Sequence, residues 1–211
     1  MKTQNIQKQK GFTLVEIAIV LVIIGLLLGG VLKGQELIEN TKIKSVKTEA
    51  DNISAAILGY QDRFRSLPGD DAAAVVNVNG VLGTGGTVGN GEIEGAYTAG
   101  ATLALQEAST IESQVIWQHL RLAGFMSGSE RGNPISAFGG VIGVTSDVGT
   151  GGISICQTGM TLDQMQLVDT RYDDGDATTG SVRGVTAVAG TLTATAGYVA
   201  GDDAIAICIT Y

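Results

Sequence analysis

Glu16 is the first residue whose chemistry needs an explanation, because it lies inside an apolar run that extends from Phe12 to Leu32. Thr13 is the only other polar residue of that run. A carboxylate inside a bilayer is costly unless a partner neutralises it, so an intramembrane acid is a candidate functional residue. Phe12 and Glu16 are spaced i, i+4 and would share one face of a helix. The alternative is a glutamate that only sits near the cytoplasmic headgroups.

Two acidic stretches further along the chain could bind calcium, which takes roughly six to eight oxygen ligands from acids and carbonyls on a tight loop. Asn90, Glu92 and Glu94 form the first stretch, and Asp173, Asp174 and Asp176 form the second. Neither matches the EF-hand pattern, and Asp-Gly is also favourable turn chemistry. The calcium and turn interpretations both stay open here, and no other cofactor is predicted.

His119 is the only histidine of the chain and the remaining candidate for catalysis. It falls in a predicted helix with Ser109-x-x-Glu112 as a capping box and Gly124 as the C-terminal cap. Its spacing to other residues reveals no catalytic partners, and no Gly-x-Ser-x-Gly motif is present. We therefore predict no catalytic residue, and we expect His119 to lie at the surface or in helix packing.

A long N-terminal helix must position Glu16. The run from Phe12 to Leu32 would span about 30 Å as a helix, which is enough to cross a bilayer. Lys2, Lys8 and Lys10 precede it, so the N-terminus should stay cytoplasmic and the rest should be exported. A removable secretory signal is the alternative, but helical periodicity continues to about residue 65 and no clear cleavage site follows the run. We predict a helix over residues 12–65 that is transmembrane over about 12–32.

The string Lys10-Gly11-Phe12-Thr13-Leu14-Val15-Glu16 resembles the class III signal of type IV prepilins and type II secretion pseudopilins. The resemblance implies a leader over residues 1–11 and a cut between Gly11 and Phe12 by a prepilin peptidase. The same enzyme would then methylate the new amino terminus at Phe12. Glu16 would meet the amino terminus of a neighbouring subunit, and this pairing would set the register of assembly.

The head, predicted over residues 66–211, should combine an antiparallel sheet with short helices. Leu67-Pro68-Gly69-Asp70, Gly89-Asn90-Gly91-Glu92 and the Trp117–Gly124 helix resemble a subset of bacterial prepilin-like proteins. A further short helix is predicted near Leu162–Thr170, with Thr161-x-x-Gln164 as its capping box. Alternation and β-branched content predict strands at Val141–Thr145, Ile153–Gln157, Val182–Val188, Thr191–Thr195 and Ala204–Tyr211. The predicted fold is α+β and pilin-like, with the long helix packed on the sheet.

Cys156 and Cys208 are the only cysteines, and each falls in a predicted strand. An even pair in an exported segment predicts a disulfide. Two buried free thiols are the alternative.

The resemblance implies a structural subunit, major or minor, of a type IV pilus-like filament. The alternative is a pseudopilin of a type II secretion system, and a third hypothesis is a membrane-anchored periplasmic enzyme or binding protein. The implied partners are other pilins, the prepilin peptidase and methyltransferase, and an inner-membrane assembly platform. The protein would reside in the inner membrane with a periplasmic head, and then in a pilus or a periplasmic pseudopilus. A net charge of −8 argues against nucleic acid as a partner.

Overall fold

The computed structural model describes residues 13–84, 86–95, 109–128, 131–146, 148, 151–188, 191–194, 198 and 206–211. The described helices are α1 (Leu14–Phe64), α2 (Ala74–Asn77), α3 (Glu112–Leu122) and α4 (Leu162–Tyr172). The described strands are β1 (Ile142–Thr145), β2 (Ser154–Thr158), β3 (Val182–Val188), β4 (Thr191–Ala194) and β5 (Ala206–Thr210). The chain divides into two compact units, one that ends at Thr41 and one that extends from Lys42 to Tyr211.

The part of α1 that lies in the first unit is apolar and exposed. Its most hydrophobic 18-residue window has a mean hydropathy of 2.8 and no buried residue. Leu14 and Leu26 are 88% and 74% exposed, respectively. Among the described helices, α1 is the one whose length and composition would allow it to cross a membrane. Such a surface is stable only against lipid or other apolar helices.

The part of α1 that lies in the second unit buries one face. The buried residues recur mostly at threes and fours, namely Ile43, Val46, Ala50, Ile53, Ala56, Ile57 and Tyr60. This spacing places them on one stripe of the helix, and the stripe forms part of the main hydrophobic core. The helix ends at Phe64 because Arg65 turns into the left-handed region with a φ of 60°. The Arg65 N–H donates to the Gln61 carbonyl at 2.8 Å, which is the bond of an αL cap.

The five strands form one antiparallel sheet in the order β1-β2-β5-β3-β4. Alternate residues face the core, where Ile155 of β2 lies opposite Ile209 of β5 and both are buried. Gln157 adds a polar link, because its Nε2 donates to the Val46 carbonyl of α1 at 2.7 Å. The predicted α+β fold, with a long N-terminal helix, an antiparallel sheet and short helices, is confirmed.

The two predicted capping boxes have different outcomes. Thr161 and Gln164 form the predicted box at the start of α4. The box predicted at Ser109 and Glu112 is wrong, because α3 begins at Glu112 with Ile111 as its N-cap. Glu112 Oε2 instead accepts a hydrogen bond from the backbone N–H of Glu94 at 2.9 Å. The Glu112 carboxylate therefore accepts a hydrogen bond from a residue distant in sequence, and not from the N-terminus of its own helix.

Candidate functional site

Glu16 and Thr13 form a reciprocal capping box at the start of α1. Glu16 Oε2 accepts hydrogen bonds from the backbone N–H and from the hydroxyl of Thr13, each at 2.8 Å. The Glu16 N–H donates to the Thr13 hydroxyl oxygen at 3.3 Å. These bonds satisfy donors that a helix N-terminus otherwise leaves free. The Thr13-x-x-Glu16 spacing could have predicted this box from the sequence, but the analysis of Glu16 as a membrane acid missed it.

Only one of the two carboxylate oxygens of Glu16 takes part in this cap. All of the bonds described above go to Oε2, and Oε1 accepts no hydrogen bond from the described residues. The surrounding surface is apolar, and a shallow groove on it is lined by Glu16, Ile17, Ile19 and Val20. The site is therefore a single acid with one available oxygen on an apolar helix, a suitable acceptor for a cation that arrives with another apolar surface.

Residues 6–32 match the prokaryotic N-terminal methylation motif. This motif is the class III signal peptide of type IV pilins and pseudopilins. The methylation motif implies processing by a prepilin peptidase and assembly into a pilus-like filament. It includes Gly11 and Phe12, which lie outside the described residues, and it includes Glu16. No curated protein and no solved structure is significantly similar to the chain.

The methylation motif ends at residue 32, so it includes none of the residues of the sheet. A disulfide joins Cys156 of β2 to Cys208 of β5, and these residues are directly opposite each other in the strand register. Both cysteines are fully buried. The bond therefore ties the last strand of the chain to the interior of the sheet.

The first acidic stretch is a loop held together by hydrogen bonds. Asn90 Nδ2 and the Thr87 N–H both donate to Glu94 Oε2, at 3.0 and 2.9 Å. The Glu92 N–H donates to Asn90 Oδ1 at 2.8 Å, and the Glu92 side chain is exposed. Asp70 accepts from the backbone N–H groups on both sides of Asn90, which belong to Gly89 and Gly91. The structure brings Asn90 and Glu94 together, and their polar atoms stabilise the loop itself.

The second acidic stretch converges on a residue that the sequence analysis did not select. Ligand atoms of Asp169, Asp173 and Asp174 lie within 4.8 Å of one another. Asp169 Oδ1 accepts from the Gly175 N–H at 3.0 Å, and its Oδ2 accepts from the Tyr198 hydroxyl at 2.8 Å. Its position on α4, one helical turn before Asp173, is the signal that could have revealed it.

The aspartates of this loop also accept bonds from the loop's own turns. Asp174 Oδ2 accepts from the Thr179 hydroxyl at 2.6 Å, which is the main reason that the pKa of this carboxyl is lowered. Asp176 lies outside the cluster and accepts from the N–H and the hydroxyl of Thr178. Burial raises the pKa of Asp169, because it penalises the charged form. Each carboxylate thus has a turn-forming role, which supports the turn interpretation, and the calcium interpretation stays untested.

His119 is a buried packing residue. Its Nδ1 accepts a hydrogen bond from the Gly69 N–H at 2.9 Å, so its Nε2 carries the proton and donates to the Val81 carbonyl at 2.8 Å. The ring stacks on Tyr60 with the centroids 6.1 Å apart. Both ring nitrogens are occupied by backbone groups, which leaves neither for proton transfer to a substrate. Burial lowers the pKa of His119, because the charged form would lose its hydration.

Asp71 anchors the segment that follows α1. Its Oδ2 accepts from the Tyr60 hydroxyl at 2.7 Å and from Asn77 Nδ2 at 2.8 Å, and its Oδ1 accepts from the Ala73 N–H at 2.8 Å. Burial and this contact raise the pKa of Tyr60. The Leu67–Asp71 segment therefore has a structural role, in which Asp70 holds the Asn90 loop and Asp71 holds α2.

Proposed function

We propose that the protein is a subunit, major or minor, of a type IV pilus-like filament. The observation that carries this proposal is Glu16, which lies inside the methylation motif at the start of an exposed apolar helix. The motif itself favours a structural subunit over an enzyme. The leader would be residues 1–11, and the head would begin near residue 66.

Cleavage between Gly11 and Phe12 would create a positive amine immediately before Thr13. Thr13 already holds Oε2 of Glu16 within the same chain, so Oε1 is the oxygen that the amine of a neighbouring subunit would approach. In an apolar environment such a pair is strong, and an unpaired member is costly. A shift of one subunit along another would leave both charges unpaired, so this contact would set the axial register.

The route to the filament follows from the same residues. Lys2, Lys8 and Lys10 would keep the N-terminus cytoplasmic, and α1 would cross the inner membrane once with the head in the periplasm. The prepilin peptidase and methyltransferase would act at the cytoplasmic face, and an inner-membrane assembly platform would then extract the subunit. The disulfide between Cys156 and Cys208 suits an oxidising compartment such as the periplasm.

The test is to replace Glu16 by Ala in the full chain. We expect normal cleavage, with Phe12 as the methylated terminus by mass spectrometry, but at least about tenfold fewer sheared fibres, since tenfold corresponds to only about 1.4 kcal/mol. Glu36→Ala is the matched control, because Glu36 is an exposed acid on the same helix that pairs with Lys33 at 2.7 Å. Fibres at the wild-type level from Glu16→Ala would contradict the role of Glu16 in assembly, and wild-type fibres that do not contain the protein would contradict the proposal.

A pseudopilin of a type II secretion system is the second candidate, because the methylation motif is shared by pilins and pseudopilins. Deletion of the gene distinguishes the two. Loss of surface fibres with normal secretion supports the pilus, and a secretion defect without loss of fibres supports the pseudopilin.

A further inference from the structure

The lysines of the chain are concentrated next to the apolar run. Beyond residue 11 the chain has four lysines, and all of them lie within residues 33–47, where the only acids are Glu36 and Glu39. Residues 48–211 contain six arginines and eighteen acidic residues, which gives a net charge of −12. The segment next to the apolar run thus has the opposite net charge to the rest of the chain that follows it.

Lys42 and Lys44 are the two lysines of this segment that are available to an external partner. The other two each form an ion pair with an acid about one turn further along α1, at Glu36 and at Asp51. Lys42 and Lys44 are both exposed, and neither forms an ion pair with the residues that the structure describes. Their charges can therefore be neutralised by another molecule.

Lys42 and Lys44 lie at the same level of α1 but on different sides of it. A helix rises about 1.5 Å and turns about 100° per residue, so the two positions differ by about 3 Å in height and about 200° in direction. A protein packed along one side of the helix would meet only one of the two lysines. The surface of a bilayer that α1 crosses surrounds the helix, so it can meet both.

The loop beside Lys42 adds exposed apolar surface to this part of the head. Lys42 Nζ lies 5.4 Å from the centre of the Phe138 ring, and the Ala137 N–H donates to Glu49 Oε2 of α1 at 3.4 Å. These two contacts hold the loop against the helix. In the same loop, Ile135 is 66% exposed. Contacts with a membrane surface combine buried apolar area with attraction between basic residues and anionic lipids, and this part of the head offers both.

We propose that Lys42, Lys44 and Ile135 seat the head on anionic phospholipids of the membrane that α1 crosses. This inference rests on α1 as the membrane anchor of the proposed function, but it does not depend on assembly into a filament. An anionic surface repels the net negative charge of residues 48–211, so the two lysines decide which end of the head approaches it. Their amines contact lipid phosphates, and Ile135 enters the headgroup layer.

The experiment places the full chain in lipid discs with one copy per disc, so that no second copy is available as a partner. A fluorophore on Ile135→Cys reports the contact, because Cys156 and Cys208 are bonded to each other and leave the introduced thiol to react. Its quenching by nitroxide-labelled lipid is measured in discs of phosphatidylcholine with and without added phosphatidylglycerol. Val76→Cys carries the control label, since Val76 is an exposed valine (87%) in a loop that follows the end of α1.

We expect the equilibrium constant for the contact to be at least about fivefold higher in the anionic discs, since each lysine near an anionic surface contributes about that factor. Lys44→Gln should lower it about fivefold, and joint replacement of Lys42 and Lys44 by Gln should remove the preference for anionic discs. Arg65→Gln is the matched control, because Arg65 is an exposed cation (84%) directly after α1, and it should leave the preference unchanged.

Three outcomes overturn the inference. The first is equal quenching of the Ile135→Cys label in both kinds of disc. The second is an effect of Arg65→Gln as large as that of Lys44→Gln, since the loss of any cation would then suffice. The third is equal quenching of the Val76→Cys label, which would show a head without a fixed orientation on the membrane. Absence of the protein from cellular fibres would contradict the filament proposal and would leave these measurements unaffected, so the two failures are distinguishable.

Discussion

Acidification should destabilise the head through His119. In the folded protein its Nδ1 accepts the Gly69 N–H, so protonation would place two donors opposite each other in a buried site. Burial already lowers its pKa below the usual value of 6.5. As the pH falls, a histidine with such a lowered pKa is protonated in the unfolded protein before it is protonated in the folded protein. The free energy of unfolding therefore decreases as the pH falls below 6.5, and this contribution is fully present above that pH.

The magnitude of this effect has an upper bound. One proton changes the free energy of unfolding by at most about 1.4 kcal/mol per pH unit, which gives at most about 2 kcal/mol between pH 6.5 and 5. Disruption of the bond to Gly69 is of similar size, because a buried donor without an acceptor costs about 1–3 kcal/mol. Asp71 and Arg131 act on the His119 pKa in opposite directions, Asp71 raising it and Arg131 lowering it.

Two carboxyl groups also contribute to the pH dependence of stability, so the contribution of His119 is measured against a variant that lacks this histidine. Burial raises the pKa of Asp169 and of Glu49, so both groups favour the folded state on acidification, in the opposite sense to His119. His119→Gln removes the titration but keeps an amide that can donate to the Val81 carbonyl. The difference between the wild type and this variant isolates the histidine.

The assay is denaturant unfolding of the full chain in a neutral detergent at pH 7 and pH 5. Trp117 is the only tryptophan, it is fully buried, and it lies on α3 beside His119, so its fluorescence reports unfolding of this region. We expect the wild type to lose up to about 2 kcal/mol more than His119→Gln over this interval. The same pH dependence in both proteins would refute the assigned tautomer and its role.

Three further predictions concern stability. Arg65→Gly should stabilise the protein by about 0.5–1 kcal/mol, because glycine adopts a positive φ without strain. Asn79→Gly should have a smaller effect, because asparagine tolerates this conformation. A lower denaturation midpoint for Arg65→Gly than for the wild type would contradict this prediction. Joint replacement of Cys156 and Cys208 by Ser should cost about 4 kcal/mol, from the sequence separation of 52, and an unchanged unfolding curve would exclude a stabilising disulfide. EDTA should leave the melting temperature unchanged, because the turns around Asp174 are bonded internally; a decrease reversed by calcium would show a metal site.

The sequence correctly predicted the structural features that depend only on residues close to one another in the chain. The strands around Cys156 and Cys208 were predicted to within about two residues, because isoleucine recurs at every second position along both segments, although the folded sheet buries nearly all of their residues. The cap of α4 at Thr161 was predicted for the same reason, since all of its bonds lie within one turn. The cap of α3 was not, because Glu112 bonds to a backbone group far away in sequence.

The candidate sites divide in the same way. Glu16 was identified from sequence because its meaning comes from the apolar run around it, a property of consecutive residues. Asp169 joined the acidic cluster, and His119 was assigned a tautomer, only in the folded structure. Contacts between residues distant in sequence determine which buried polar atoms form hydrogen bonds with each other, and the spacing of neighbouring residues does not predict these pairs. The sequence by itself thus determined the anchoring helix, its acid and most strands, while tertiary packing decided the partners of the buried polar groups, because those partners are distant from one another in the sequence.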